Sequence, residues 1–116
     1  MKAFIIAACI VGFTVIIIAA CAIYYNNVAK RLIEYSKIVT LDSGYDQLNE
    51  LWNKKRVFFS LFSSHKEIDK IDEQISLIGV AISHKDETEL NKAKTLLVGY
   101  IEQIKKHEAL TVENIL

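Results

Sequence analysis

Residues 3–25, AFIIAACIVGFTVIIIAACAIYY, pass without one charged side chain. At about 1.5 Å per residue, a helix over this stretch covers about 35 Å, enough to cross a hydrocarbon layer of about 30 Å. It contains eleven Ile, Val and Phe residues. Together they favour insertion by roughly 3 to 7 kcal/mol, with no charge to oppose them. Tyr24 and Tyr25 stand at the far end, where amphipathic rings prefer the headgroup layer, and Lys30 and Arg31 follow shortly after. The stretch therefore reads as a single membrane-spanning anchor over residues 1–25. The expected fold is all-α: the anchor continues into a small antiparallel bundle of three to four helices over residues 26–116.

The same stretch also carries two processing signals. Ile18-Ala19-Ala20-Cys21 has the apolar-small-small-Cys form of a bacterial lipobox, and Ala20-Cys21-Ala22 fits a small-x-small cleavage site. Ile23, Tyr24 and Tyr25 extend the apolar character past the cysteine, and Lys2 is the only basic side chain ahead of the run, so the uncleaved anchor is the plainest reading. Orientation rests on opposing cues. Lys30, Arg31 and Lys37 outnumber Lys2 and draw the C-terminal side toward the cytoplasm, whereas the signal-like beginning sends it outward. The expectation is an extracytoplasmic C-terminal domain on the cell membrane. Ala8-x-x-x-Gly12 is a small-xxx-small pair that would let two anchors approach as a homodimer.

Composition narrows the rest. A chain of 116 residues holds the anchor plus one small domain. With Lys2 set aside, 13 Lys and Arg face 14 Asp and Glu beyond residue 25, so there is no basic field for nucleic acid. Cys9 and Cys21 both lie in the apolar run, about 18 Å apart along a helix axis, too far to bridge each other. The soluble part has no cysteine, which suits an oxidising exterior.

Beyond Tyr25 the chain has no proline, and its apolar residues recur at helical spacing. Val28, Leu32, Ile33, Tyr35, Ile38 and Val39 predict that the first helix runs on until Leu41-Asp42-Ser43-Gly44 breaks it. A second helix is expected over residues 45–62, with Leu48, Leu51, Trp52, Phe58, Phe59 and Phe62 on its apolar face. Ser64-x-x-Glu67 is a capping box, and Ile68, Ile71, Ile75, Ile78 and Ile82 form the stripe of a third helix. Asp86-x-x-Glu89 predicts the next cap. Leu90, Ala93, Leu97, Tyr100, Ile101 and Ile104 follow, and Lys105, Lys106 and His107 are expected to close the last helix at its negative pole.

Candidate sites are few. His65 and Asp69 share a helix face with Asp72 and Glu73 one turn on, a pattern able to offer imidazole and carboxylate to a metal. Zinc normally takes three or four protein ligands and no second cluster supplies the rest, so a solvated acidic turn is the preferred reading, with His65 packing near Trp52 or the phenylalanines. Lys54-Lys55-Arg56 reads as a solvated face with a secondary potential for acidic headgroups. Trp52, Phe58, Phe59 and Phe62 read as core, or as an interaction surface where exposed. Nucleophile elbow, phosphate loop, CxxC and HExxH are all lacking. No catalytic, cofactor-binding or metal residue is assigned, and no cofactor is expected.

Leu51-Trp52 with the basic residues after it, His65-Lys66-Glu67-Ile68-Asp69-Lys70-Ile71, and the closing Glu113-Asn114-Ile115-Leu116 together resemble an uncharacterised family of small single-pass membrane proteins, a domain of unknown function, from clostridia and related Gram-positive bacteria. The resemblance implies the same architecture and a bacterial membrane address, and it carries over no catalytic residue. It also implies that residues 111–116 form an ordered tail, with Ile115 and Leu116 apolar enough to dock on the bundle. The expected function is a non-enzymatic, membrane-anchored scaffold or interaction domain whose partners are the bilayer and another membrane or envelope protein. The alternative is a lipoprotein or tethered domain that senses a metal or small ligand.

Overall fold

The computed structural model describes the backbone of residues 1–115 and the side-chain surroundings of residues 1–107. Four helices follow one another: α1 (Lys2–Ile38), α2 (Tyr45–Ser60), α3 (His65–Ser83) and α4 (Glu87–Ile115). There is no strand among the described residues. Short connections force antiparallel neighbours. Each helix packs on the next, α4 packs back on α1, and the diagonal pairs do not touch, so the four close into an up-down-up-down ring.

α1 is two helices in one. Over residues 3–17 every side chain is exposed, and its most apolar window has a mean hydropathy of 2.9 with none of it buried. From Tyr25 onward the pattern narrows to a stripe: Tyr25, Val28, Ala29, Leu32, Ile33 and Ser36 are buried. The molecule is accordingly a rod 68 Å long and about 20 Å across, with a bundle at one end and a bare apolar helix at the other. The continuation of the first helix past Tyr25, expected from the sequence, is the bundle's own first helix.

The core joins that stripe to Leu48, Leu51, Trp52 and Phe59 of α2, Ile68, Ile71, Ile75 and Ile78 of α3, and Leu90, Leu97, Ile101 and Ile104 of α4. Two expected core positions, Ile38 and Phe62, are exposed, and Tyr35, Phe58, Ile82 and Tyr100 are only half-buried. Ile38 is 62% exposed because α1 ends there, and Val39 turns inward in its place. On α3, Ala81 takes the buried position and Ile82 is only half-buried. Phe62 lies outside α2, which stops at Ser60, and it remains exposed.

Caps follow the sequence closely. Ser64 and Glu67 form the reciprocal capping box, and the Asp86 carboxylate accepts from the Glu89 N–H at 3.1 Å. The end of α4 does not follow it. Lys105, Lys106 and His107 fail to close the helix, whose backbone continues to Ile115. Nothing between His107 and Ile115 is glycine or proline, so no residue there breaks it. The expected docking of Ile115 and Leu116 lies outside the described residues.

Candidate functional site

The end of the bundle nearest the bare half of α1 is built from rings. Tyr25 is buried against the bundle, whereas Tyr24 beside it stays 43% exposed. The Tyr25 ring meets Phe59 edge-on at 4.7 Å and Phe62 at 6.0 Å. Tyr24 meets Phe58 at 4.8 Å. Phe59 in turn stacks on Trp52 at 5.7 Å. The Tyr25 and Ser63 hydroxyls share a hydrogen bond of 2.9 Å, and the Lys55 ammonium donates to the Tyr24 hydroxyl at 2.6 Å. The α2–α3 corner is thereby fastened to α1 at the level of residues 24 and 25.

One turn above the rings lies the strongest polar constellation. Trp52 donates its Nε1–H to Asp72 Oδ1 at 2.6 Å. Arg56 clamps the same carboxylate, with Nε 3.0 Å from both oxygens and Nη2 2.8 Å from Oδ2. Partial burial pushes the Asp72 carboxyl up and is the largest single influence. The hydrogen bonds from Arg56 and Trp52, with the guanidinium charge, outweigh it and hold the group below its ordinary value. The hydrogen bond and charge of Asp72 raise Arg56 in turn. A fully donated-to carboxylate between two structural donors is a staple from α2 to α3, not a reactive group.

These contacts revise the sequence reading of the polar residues. Arg56 keeps its side chain 43% exposed but turns its guanidinium onto Asp72. Lys54 belongs to a solvated face: it pairs with Glu50 at 3.0 Å, both well exposed. His65 is exposed. Asp72 is engaged by Trp52 and Arg56, and among the described residues no three His, Cys, Asp or Glu side chains stand close enough to hold a metal. The signal for the staple was present but weak: Trp52 and Arg56 are four apart on one helix face, yet nothing in the sequence aims them at Asp72.

The outer face between α3 and α4 carries a groove of about 320 Å³, lined among others by Leu77, Val80, His84 and Leu96. Leu77, Val80 and Leu96 are exposed there. Gln74, 6% exposed, borders the groove, and its Oε1 has no hydrogen-bond partner among the described residues. Gly12, on the bare half of α1, has open space where a Cβ would stand.

Residues 20–115 match the family model of a domain of unknown function, DUF4363. The chain belongs to this family. The match takes in the whole DUF4363 bundle, from just before Cys21 through α4, and leaves most of the bare apolar half of α1 outside it. No curated protein and no solved structure matches the chain.

Proposed function

We propose that this DUF4363 protein is a single-pass, membrane-anchored bundle without catalytic activity that binds another membrane or envelope protein from the extracytoplasmic side. The observation that carries the reading is the bare half of α1. Fifteen consecutive residues, 3–17, present apolar side chains on every face and find no cover in the bundle. A surface of that kind in water is far beyond what a soluble monomer exposes. A helix apolar all round is the form a bilayer accepts. The groove between α3 and α4, with its exposed Leu77, Val80 and Leu96, is the face on which a partner helix would lie.

Four measurements test this. The full chain should remain with the membrane after alkaline carbonate extraction; release into the supernatant refutes the anchor. In intact cells, a Ser83→Cys variant lacking the two native cysteines should react with a membrane-impermeant thiol reagent. Protection until lysis reverses the orientation. Loss of lipid labelling in Cys21→Ser would instead make the anchor an acyl chain. Crosslinking from Val80 that traps no discrete partner removes the binding role.

A further inference from the structure

The height of the α2–α3 corner on α1 is fixed by contacts already described: Tyr25 to Ser63, Tyr25 to Phe59 and Phe62, Tyr24 to Phe58. The depth of α1 in a bilayer is fixed separately by its sequence. The charge of Lys2 bounds the apolar run on one side. A hydrocarbon layer of about 30 Å takes about 20 helical residues, so a span beginning at Ala3 reaches Ala22 or Ile23 before it leaves the layer. Tyr25 stands only two or three residues on, about 3 to 4.5 Å along the axis. Tilting the helix lowers its rise along the membrane normal and draws Tyr25 deeper still. The corner fastened to Tyr25 therefore falls within the headgroup layer.

The side chains there suit that place. Val57, in the last turn of α2, and Leu61 are 69% and 73% exposed, and Phe62 is 43% exposed, at a corner whose position alone would predict polar residues. Lys66 lies in the first turn of α3. Lys105 and Lys106 reach the same level, because His107 contacts Glu67 at 3.0 Å. Glu67 stands at the same level but is taken up by the capping box and by His107, and the lysines beside the apolar tips match the anionic headgroups above the acyl boundary. The far end of the bundle presents His84, Lys85, Asp86 and Glu87 instead, all exposed.

We propose that the α2–α3 corner, through Val57, Leu61 and Phe62, is a second membrane contact seated in the headgroup layer of the bilayer that α1 crosses. The proposal rests on the reading of α1 as a span. It fixes the bundle against the surface, so that the groove between α3 and α4 opens sideways along the membrane plane, toward partners in the same bilayer. One feature of the sequence opposes it: Glu108 and Glu113 follow His107 in α4 and resist hydrocarbon. α4 stays one helix through Ile115 and carries these residues toward the bilayer, so the corner seats only as deep as keeps their carboxylates among the headgroups.

The test uses the full chain with Cys9→Ser and Cys21→Ser, reconstituted in vesicles of phosphatidylcholine and phosphatidylglycerol. Single nitroxide labels at Ile10→Cys, Val57→Cys, Leu61→Cys and Ser83→Cys are read for collision with oxygen and with a water-soluble nickel chelate. Circular dichroism confirms that each variant keeps its helices. The expected order of lipid accessibility is Ile10 highest, Val57 and Leu61 intermediate, Ser83 lowest. If Ile10 reads lipid while Val57 and Leu61 read as aqueous as Ser83, the corner proposal is overturned and the anchor stands. An aqueous Ile10 overturns both. Labels at Val57 and Leu61 shielded from both quenchers, with spin–spin broadening between chains, would place a second copy of the chain on the corner and overturn the lipid contact.

Discussion

The two ends of the bundle are closed by different chemistry. At the base, rings from α1, α2 and the α2–α3 corner interlock: Tyr25, Phe58, Phe59 and Phe62, with hydroxyl contacts at their edges. At the top, backbone groups are closed by polar side chains. The Lys94 ammonium donates to the carbonyls of Lys37 and Val39 at 3.0 and 2.6 Å, capping α1 from across the bundle. Thr40 Oγ1 accepts from the N–H groups of Asp42 and Ser43, and Gly44 enters α2 with φ at 94°. A top built this way keeps its orphan carbonyls content in water. A base built of rings with polar edges tolerates an apolar neighbour.

The largest expected effect tests the base. Phe59 is fully buried between Tyr25 and Trp52, so Phe59→Ala should destabilise the bundle by about 3–5 kcal/mol in urea unfolding in micelles. Leu61→Ala, two residues away but exposed, should stay within about 0.5 kcal/mol. Equal losses would mean the corner is packed by something other than this chain's own rings.

The staple above the rings comes next. Asp72→Ala leaves the Trp52 Nε1–H and the Arg56 guanidinium without their acceptor, a loss of about 1–2 kcal/mol because water reaches one side of the pair. Its pH dependence has a definite direction. The native Asp72 carboxyl sits below its ordinary value, so the charged form belongs to the folded state. Its contribution is whole above about pH 4 and fades as acid protonates it through its native pKa. Asp72→Asn should flatten that part of the acid unfolding curve followed by Trp52 fluorescence. An unchanged curve would assign acid sensitivity elsewhere.

How much of this was readable differs between the same two ends. The isoleucine stripe of α3, the Ser64–Glu67 box and the Asp86 cap follow from local rules that act within one helix, and the structure keeps them. The ring cluster was visible as composition, but its partner on α1 was not. Periodicity alone cannot tell that Tyr25 turns inward while Tyr24 faces out, because both rings suit an interface. The Trp52–Asp72–Arg56 staple joins residues up to twenty apart, a pairing set by how α2 and α3 rotate against each other. The overrun of α4 to Ile115 was missed because basic residues near a helix end are permissive, not terminating.

At the top, Gly44 carries the next test. A Cβ there would approach Val39 Cα to 3.1 Å and the Ile38 carbonyl oxygen to 3.3 Å, in a backbone region that favours glycine. Gly44→Ala should therefore cost about 1–2 kcal/mol in thermal unfolding. Neutrality would show that the 39–44 connection relaxes freely, and the contrast between a ring-locked base and a backbone-locked top would weaken.

The smallest effect has the opposite sign. α3 ends in a Schellman arrangement: the Asp86 N–H donates to the Ala81 carbonyl at 2.9 Å and the Lys85 N–H to the Ile82 carbonyl at 3.1 Å. The left-handed position that closes it, with φ at 53°, is filled by Lys85 rather than glycine. A side chain there is strained, so Lys85→Gly should raise stability by about 0.5–1 kcal/mol, after the greater freedom glycine gains in the unfolded chain is subtracted. The charge supplies a competing term, since an ammonium beside the last carbonyls of α3 interacts favourably with the helix dipole by about 0.3–1 kcal/mol at low salt. Salt separates the two. If strain dominates, Lys85→Gly stabilises at every ionic strength and more so at high salt. If the dipole dominates, the gain vanishes at low salt, and the top of the bundle is held by charge as well as by backbone geometry.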